Sequence, residues 1–395
     1  MITLVGLLFQ HLGRLKNLNL SYCENLIEVP DLSGAVTLEK ISLHGCKRLQ
    51  NLLSSIVKLT SIRDLNMCET TIEQVPPSIQ CLSHLKQVAL FGCQRLKGLP
   101  DNFFKLKNLK WLNVCGCPNL EYLPEIVDGM EHLTVLEIGG TGIKELPSSI
   151  GNLSAIVRLD LWDNKMLKSL PPSIYNTPLR SLDLACCSEL STLPTFSSGF
   201  LYLRSLTLSY TGILEVPDWF FSLPSLRRLD LSGTRINRMP ESIISSQLSN
   251  LYIRDCENLQ SLPELPSSLE RVDATGTSLE MVSTSSIISL LTPQGPVTED
   301  LQLDNCFKLN TKNILTEFQF RAFCMAMRLT LKPQFQVDLY LSHLRDIYLT
   351  FIFEITMTFS RYSHCMIVGV ILKSLCVIRE MKFQTGSAIK TRDTP

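Results

Sequence analysis

The sequence has no excess of charge of either sign, because 37 lysine and arginine residues are balanced by 37 aspartate and glutamate residues among 395 positions. Proteins that bind nucleic acid through its phosphates need a surplus of positive charge. Apolar residues make up 45% of the chain, which is enough for a large buried core. Composition therefore predicts a globular protein that does not bind nucleic acid.

Signatures of catalysis are also lacking. A phosphate-binding loop of the G-x-x-x-x-G-K-[ST] type requires a Gly-Lys pair, which occurs nowhere in the chain. No two of the six histidines have the His-x-x-x-His spacing of a metal site, and kinase and nucleophile-elbow motifs are absent. We therefore expect no enzymatic activity, and we assign no catalytic, cofactor-binding or metal-ligating residue.

No apolar run is long enough for a membrane span. Charged residues interrupt segments 347–359 and 365–378, so neither provides the ~18 to 20 uninterrupted apolar residues that a span requires. Segment 2–9 is apolar, but no basic stretch precedes it, which argues against a signal peptide. Glycosylation sequons at Asn19 and Asn152 favour secretion, although the repeat pattern described next accounts for both.

The chain does contain one pattern that repeats twelve times between Leu15 and Leu279. Its L-x-x-L-x-L-x-x-[CTN] spacing and its period of 21 to 24 residues are typical of a leucine-rich-repeat solenoid. The first positions are Leu15, Leu38, Ile62, Leu85, Leu109, Leu133, Ile156, Leu179, Leu203, Leu226, Leu248 and Leu269. We therefore predict an α/β repeat horseshoe, with short parallel strands on its concave face and irregular, 3₁₀ or short helical segments on its convex side.

The eighth residue after each first position closes the turn that follows the strand. Apolar residues such as Leu18 and Leu20 alternate within the strand, so one side of it faces inward. The closing residue is small and polar, and we expect it to point inward and to satisfy backbone groups of the neighbouring loop. This structural ladder consists of Cys23, Cys46, Thr70, Cys93, Cys117, Thr141, Asn164, Cys187, Thr211, Thr234, Cys256 and Thr277.

The fourteen cysteines fit the repeat better than they fit a disulfide or metal site. Cys115 and Cys117 alternate across a strand and its turn, so we expect one to face outward and the other inward. Neighbouring ladder residues such as Cys23 and Cys46 lie roughly 5 Å apart, but their side chains run parallel, which is poor disulfide geometry. We therefore expect reduced thiols and a cytoplasmic or nucleo-cytoplasmic protein.

The pattern divides the chain into four segments. Residues 1–14 lead into the array, 15–282 form the solenoid, and 283–329 hold a partial repeat around Leu301 and a cap for the last core layer. Residues 330–395 stay unassigned, because a short all-β extension, a disordered tail and a gene-model artefact are all compatible with their composition.

Outward strand positions stack into columns on the concave face, where we expect a partner to bind. Candidate residues are Phe91, Trp111, Glu137, Arg158, Asp160, Trp162, Asp183, Tyr210, Arg228, Asp230 and Tyr252. The acidic residues follow arginines by two positions, which is compatible with surface salt bridges, each contributing about 0 to 1 kcal/mol, or with a recognition stripe. The aromatic residues are either binding hot spots or the contact for an adjoining domain.

Four strings carry a resemblance to a known family: L-N-L-S-Y-C-E-N-L-I-E-V-P-D-L-S at 18–33, L-P-S-S-I-G-N-L at 146–153, L-P-E-L-P-S-S-L at 262–269 and D-N-C-F-K-L-N at 304–310. Together they resemble the leucine-rich-repeat portion of plant intracellular nucleotide-binding immune receptors that have an N-terminal Toll/interleukin-1-receptor domain. In that class a segment like 262–269 ends the repeats and an N-C-x-K-L string opens the region after them. Both occur here in that order.

The resemblance implies a sensor and autoinhibitory module that recognises a pathogen effector or a guarded host protein. The family's signalling and nucleotide-binding domains lie upstream of the repeats, so it implies ADP or ATP only for a full-length relative and no cofactor in this chain. It also implies a fragment or a truncated relative. The expected partners are an effector, a guarded host protein or the nucleotide-binding domain of a receptor.

Three alternatives remain open. An extracellular receptor ectodomain would show a G-x-I-P repeat variant and flanking cysteine pairs, which this sequence lacks. A small Ras-pathway scaffold shares the L-P-x-x-I grammar but lacks the N-C-x-K-L ending. An enzyme subunit would need a catalytic segment, for which only 330–395 has room.

Overall fold

A computed structural model describes residues 12–29, 32, 34–49, 59–127, 129–194, 199–282 and 300–302. Thirteen three-residue strands within these ranges form a single parallel sheet whose strands follow chain order. They are β1 (Asn17–Asn19), β2 (Lys40–Ser42), β3 (Asp64–Asn66), β4 (Gln87–Ala89), β5 (Trp111–Asn113), β6 (Val135–Glu137), β7 (Arg158–Asp160), β8 (Ser181–Asp183), β9 (Ser205–Thr207), β10 (Arg228–Asp230), β11 (Asn250–Tyr252), β13 (Arg271–Asp273) and β15 (Asp300–Gln302). The predicted leucine-rich-repeat solenoid is confirmed.

Every strand pairs with its neighbour without any shift in repeat position. Trp111 pairs with Val135, Leu112 with Leu136 and Asn113 with Glu137. The central leucine of a strand is buried, whereas its two neighbours face the solvent side of the sheet, as in β5. Side chains at one repeat position therefore form a column about 4.8 Å per step, and the central leucines form a continuous core.

Short 3₁₀ helices lie on the opposite side of the array. The described ones are Leu12–Arg14, Pro77–Cys81, Phe103–Lys105, Ser148–Asn152, Pro172–Asn176, Asp218–Ser222 and Glu241–Ser245. Five of them begin directly after a proline: Pro76, Pro147, Pro171, Pro217 and Pro240. Proline restricts φ to the value that a helix start needs, and each of these helices then buries an isoleucine or phenylalanine in the core.

Two further strands, β12 (Ser261–Leu262) and β14 (Met281–Val282), form a separate two-stranded parallel sheet. They follow the turns closed by Cys256 and Thr277, and an isolated parallel bridge between Gln74 and Gly98 occurs at the same repeat position earlier in the array. Within the described ranges, no helix combines the length and apolar character that a membrane crossing needs.

The closing residues point into the core and hydrogen-bond to backbone carbonyls in two ways. Cysteine reaches back to the preceding repeat, as in the bond from Cys117 Sγ to Leu90 O at 3.1 Å. Four of the five threonines bond to a carbonyl of their own repeat, as in the bond from Thr234 Oγ1 to Leu231 O at 2.6 Å, whereas Thr141 Oγ1 donates to Asn164 Oδ1 of the next repeat. Asn164 does both, because its Nδ2 donates to Ile138 O and to Leu161 O. The buried cysteines and Asn164 therefore tie their turns to a backbone carbonyl of the preceding repeat, which the closing threonines do not.

The burial of two cysteines departs from what the repeat pattern alone suggests. Cys23 is exposed rather than buried in the ladder. It belongs to the first described repeat, so no earlier described repeat offers its thiol a carbonyl. Cys115 is on the outward side of the strand but is buried, and its sulfur accepts a hydrogen bond from Gly139 N at 3.2 Å.

The residue before each closing residue adopts a left-handed conformation in all twelve repeats, a regularity that the sequence analysis missed. Glycine occupies the position in six repeats: Gly45, Gly92, Gly116, Gly140, Gly233 and Gly276. Larger residues occupy it in the others: Tyr22, Glu69, Asp163, Cys186, Tyr210 and Asp255. Its N–H donates to a carbonyl of the next repeat, as from Gly92 to Cys115 O at 2.8 Å. The left-handed turn thus extends the inter-strand ladder, and the recurrent glycine was the available signal.

Several expectations fall outside the described residues. These are the structure of 1–11, the cap within 283–329 apart from β15, and all of 330–395. Pairing between β13 and β15 places a further repeat strand after the twelve, around Leu301.

Truncating a core leucine should destabilise the array without altering its surface. Leu112→Ala and Leu182→Ala each remove a fully buried side chain, and each should lower the free energy of unfolding by about 2 to 5 kcal/mol. Urea unfolding followed by circular dichroism measures the change. Val127→Ala is the control, because this side chain is 78% exposed. A loss in the leucine variants no larger than in the control would contradict the core assignment.

Stability should fall at alkaline pH because of the buried thiols. Burial raises the pKa of the Cys187 thiol to about 12 and that of Cys256 to about 11, whereas an unfolded thiol has a pKa of about 8.5. The unfolded state therefore loses protons first, and stability present below about pH 8.5 is lost as pH rises toward the folded values. We expect the urea midpoint to decline between about pH 8.5 and 10. The double variant Cys187→Ala/Cys256→Ala should decline less steeply, and an equal slope would refute this explanation.

Candidate functional site

The middle of the concave face brings together six of the eleven candidate residues. These six, the central patch, are Trp111, Glu137, Arg158, Asp160, Trp162 and Asp183, which lie on or just after strands β5 to β8. The pairing sets Glu137 beside Asp160 and Asp160 beside Asp183. Since adjacent strands are about 4.8 Å apart, the patch is continuous.

Arg158 is the centre of the patch's charge network. Its Nη2 lies 3.1 Å from Asp160 Oδ2 and 3.8 Å from Glu137 Oε1. Glu137 also accepts a hydrogen bond at 2.8 Å from Asn113 Nδ2. The two carboxylates are largely covered, whereas about half of the Arg158 side chain is exposed. The patch therefore presents a guanidinium group that its own acids hold in position.

The acidic column has a structural role that the sequence analysis did not foresee. Its aspartates, like the asparagines at the same position, accept a hydrogen bond from the backbone N–H two residues later. The residues that do so are Asn19, Asn66, Asn113, Asp160, Asp183, Asp230 and Asp273. These side chains cap the ends of the strands, so only part of each carboxylate remains for a partner.

Asp183 is the carboxylate of the patch whose charge is least compensated. Burial, together with the carboxylates of Asp160 and Asp230, raises the pKa of Asp183 above its ordinary value. Within the described part of the chain it forms no ion pair. A cation or hydrogen-bond donor on a partner would thus find an acceptor here.

Two large aromatic side chains on this face lie against glycines of adjacent repeats. Trp162 is 39% exposed and its indole covers Gly139, where an added Cβ would meet ring atom Cδ1 at 2.5 Å. Phe91 is 44% exposed and lies 3.7 Å from the corresponding point on Gly116. One side of each ring packs against a glycine, and the rest of the ring is exposed to solvent. Trp111 is only partly exposed.

The prediction for Tyr252 is wrong, because this side chain is 8% exposed. The guanidinium of Arg228 lies over its ring, 4.4 Å from the centroid, and Arg228 Nη1 donates to the Tyr252 hydroxyl at 3.3 Å. Stacking on an aromatic ring is favourable for a guanidinium. It takes the place of the expected pairing of Arg228 with Asp230.

Arg158 thus forms an ion pair with the aspartate two positions later in its own strand, but Arg228 does not. Asp273 is bound by Arg254 from the preceding repeat. Tyr210 is exposed, but it lies one repeat beyond the central patch, and its hydroxyl donates to Asp255 Oδ2 at 3.1 Å. Phe91 flanks the patch on the other side. Among the described residues, no group of three His, Cys, Asp or Glu side chains is arranged to hold a metal ion.

Gly139 should be required for the position of Trp162. Gly139→Ala places a methyl group against the indole, so we expect the ring to swing into solvent, with a red-shifted emission and faster acrylamide quenching. Gly129→Ala is the matched control, because its added Cβ would meet only Asn152 O, at 3.8 Å. The shift should vanish in a Trp162→Phe background. An unchanged spectrum in Gly139→Ala would show that the indole does not lie on Gly139.

Comparisons with known proteins agree with this architecture. A model of the leucine-rich repeats of RPS4B-like disease resistance proteins matches residues 106–205, and a general leucine-rich-repeat model matches 177–236. The TLR13 chain of a TLR13–ssRNA13 complex superimposes with a TM-score of 0.55 at 23% identity, over 71% of this chain and 47% of that one. This last similarity shows the fold alone.

Similar sequences come from plant disease resistance. Disease resistance protein RPS4B of Arabidopsis thaliana is 34% identical over 267 residues, which cover 67% of this chain and 18% of that protein. TMV resistance protein N of Nicotiana glutinosa is 28% identical over 319 residues, covering 67% of this chain and 26% of that protein. The chain spans about a quarter or less of the length of these relatives. It is a leucine-rich-repeat protein whose repeats are those of the plant nucleotide-binding disease-resistance family of the Toll/interleukin-1-receptor class.

Proposed function

We propose that this chain is the protein-binding sensor module of a plant immune receptor and that its concave face recognises a pathogen effector or a guarded host protein. The observation that carries the proposal is the central patch, where neighbouring repeats bring onto one face an exposed indole, a guanidinium that is held by its own acids and a poorly compensated carboxylate. Tryptophan and arginine are the side chains that most often dominate the energy of protein interfaces.

The supported indole also suits binding on energetic grounds. A side chain that already rests on glycine loses little conformational entropy when a partner covers it. The remaining acids of the patch are engaged by Arg158, Asn113 or backbone N–H groups, so a partner would not have to reorganise them. The site is therefore built for binding, and we assign it no catalytic step.

The relatives supply the biological setting of the proposal. Their names connect them to disease resistance and, for the Nicotiana glutinosa protein, to TMV. We extend that role to this chain as a cytoplasmic or nucleo-cytoplasmic module. In a full-length relative the repeats would also restrain the nucleotide-binding domain, and ADP or ATP would bind there rather than here.

Removing the indoles should weaken partner binding and leave the fold intact. We expect Trp111→Ala/Trp162→Ala to lose at least about 2 kcal/mol of binding free energy, roughly a thirtyfold rise in Kd, because hot-spot residues contribute that much. A candidate partner is first recovered from infected plant tissue with the full chain, and its affinity is then measured by calorimetry with the purified proteins.

Tyr122→Ala/Tyr202→Ala is the matched control, because both tyrosines are more than half exposed and lie outside the strands. Its affinity should equal that of the unmodified chain. Thermal unfolding of all three proteins checks that the fold is retained. Equal affinity of the tryptophan variant and the control would refute the central patch as the binding site.

A further inference from the structure

Three arginines stand in a row at the edge of the concave face, outside the central patch. Arg180, Arg204 and Arg227 each directly precede a strand, β8, β9 and β10 respectively, and all three are exposed. We call these three residues the arginine ladder. Lys86 and Lys110 occupy the same repeat position earlier in the array, but Thr134 and Val157 separate them from the ladder.

Backbone hydrogen bonds hold the arginine ladder in register. Arg204 N donates to Arg180 O at 2.9 Å, and Arg227 N donates to Arg204 O at 2.9 Å. The row is anchored at both ends, because Arg180 N donates to Val157 O and Ser249 N donates to Arg227 O, each at 2.8 Å. Their Cα atoms therefore advance by one strand spacing per step, about 10 Å over the three residues.

No carboxylate among the described residues neutralises this row. In the part of the chain that the structure describes, Arg180, Arg204 and Arg227 take part in no ion pair. Arg63 occupies the same repeat position in the third repeat. It does have a carboxylate partner, because its Nε lies 3.9 Å from Glu39 Oε2. Like charges on adjacent strands repel each other, so a bound anion would relieve the repulsion within the ladder.

We infer that the arginine ladder binds an acidic helical segment of a partner protein. Guanidinium groups bind carboxylates in a bidentate manner, and three of them in fixed register favour three carboxylates in fixed register. On a helix, glutamates at i, i+4 and i+7 share one face and span about 10.5 Å, which matches the ladder. An extended strand would space its same-side residues over about 13 Å and fits less well.

The neighbouring columns favour a protein helix over a nucleic acid. The column of Asp160, Asp183 and Asp230 runs parallel to the ladder, three residues further along the strands. A polyphosphate backbone laid on this face would meet those carboxylates, whereas a helix can present acids to the ladder and neutral or basic groups to the acidic column. The inference depends on charge and register alone, so it does not depend on the ligand of the central patch.

The test uses the full chain and two fluorescent alanine-rich helical peptides of about 20 residues and identical composition. One has three glutamates at i, i+4 and i+7; the other has them five positions apart, which rotates them onto different faces by about 140° per step. Fluorescence anisotropy compares the unmodified chain, Arg180→Gln/Arg204→Gln/Arg227→Gln, and the control Arg48→Gln/Arg235→Gln/Arg238→Gln. The control removes the same charge from exposed positions outside the ladder.

We expect the unmodified chain and the control to bind the in-register peptide more tightly than the other, and the ladder variant to bind it at least about tenfold more weakly. Thermal unfolding should show the ladder variant to be no less stable than the control, because a repulsive row has been removed. Failure of the unmodified chain to bind, equal affinity for both peptides, or equal affinity of both variants would overturn the inference. Tighter binding of a single-stranded thymidine oligonucleotide than of the peptide, lost in the ladder variant, would also overturn it in favour of a nucleic-acid site.

Discussion

The structure depends on the backbone hydrogen bonds that pair each strand with the next at the same repeat position. Because the pairing never shifts, Leu112 always lies beside Leu136, and an identical register runs from β1 to β15. A shift of one residue would turn every core leucine outward, so the buried column itself enforces the register. Columns of core, charge and aromatic residues are all consequences of that single constraint.

The turns that follow the strands show how the pairing register is maintained where the strands end. The left-handed residue donates its N–H to the next repeat and continues the ladder by one bond, as Gly92 does. The closing residue then satisfies a carbonyl inside, with the buried cysteines tying two repeats together and most of the threonines capping their own turns. Outside, an asparagine or aspartate caps the strand. Backbone polar groups at the strand ends are thus satisfied on the inward and the outward side of the sheet, although each main-sheet strand has only three residues.

Much of the fold and part of the candidate site could be predicted from the repeat. Positions such as Trp162 and Arg158 were correctly placed on the concave face, because the direction of a side chain follows from its repeat position. Burial could not be predicted in the same way. Tyr252 is covered by Arg228, and Cys115 is covered although it faces the concave side. Both outcomes depend on the size and rotamer of side chains in neighbouring repeats, which the spacing does not specify.

By itself, the sequence determined the number and order of the described repeats, which residues form the core, which close the turns, and which columns lie on the outward side of the sheet, because period and alternation are properties of the chain. Only the tertiary structure decided which charges remain available. Asp160 and Asp273 are bound by arginines and backbone N–H groups, whereas Arg180, Arg204 and Arg227 form no ion pair with any residue that the structure describes. Pairing between side chains depends on distances across repeats, and residues more than 20 positions apart in the chain meet only when the solenoid has formed.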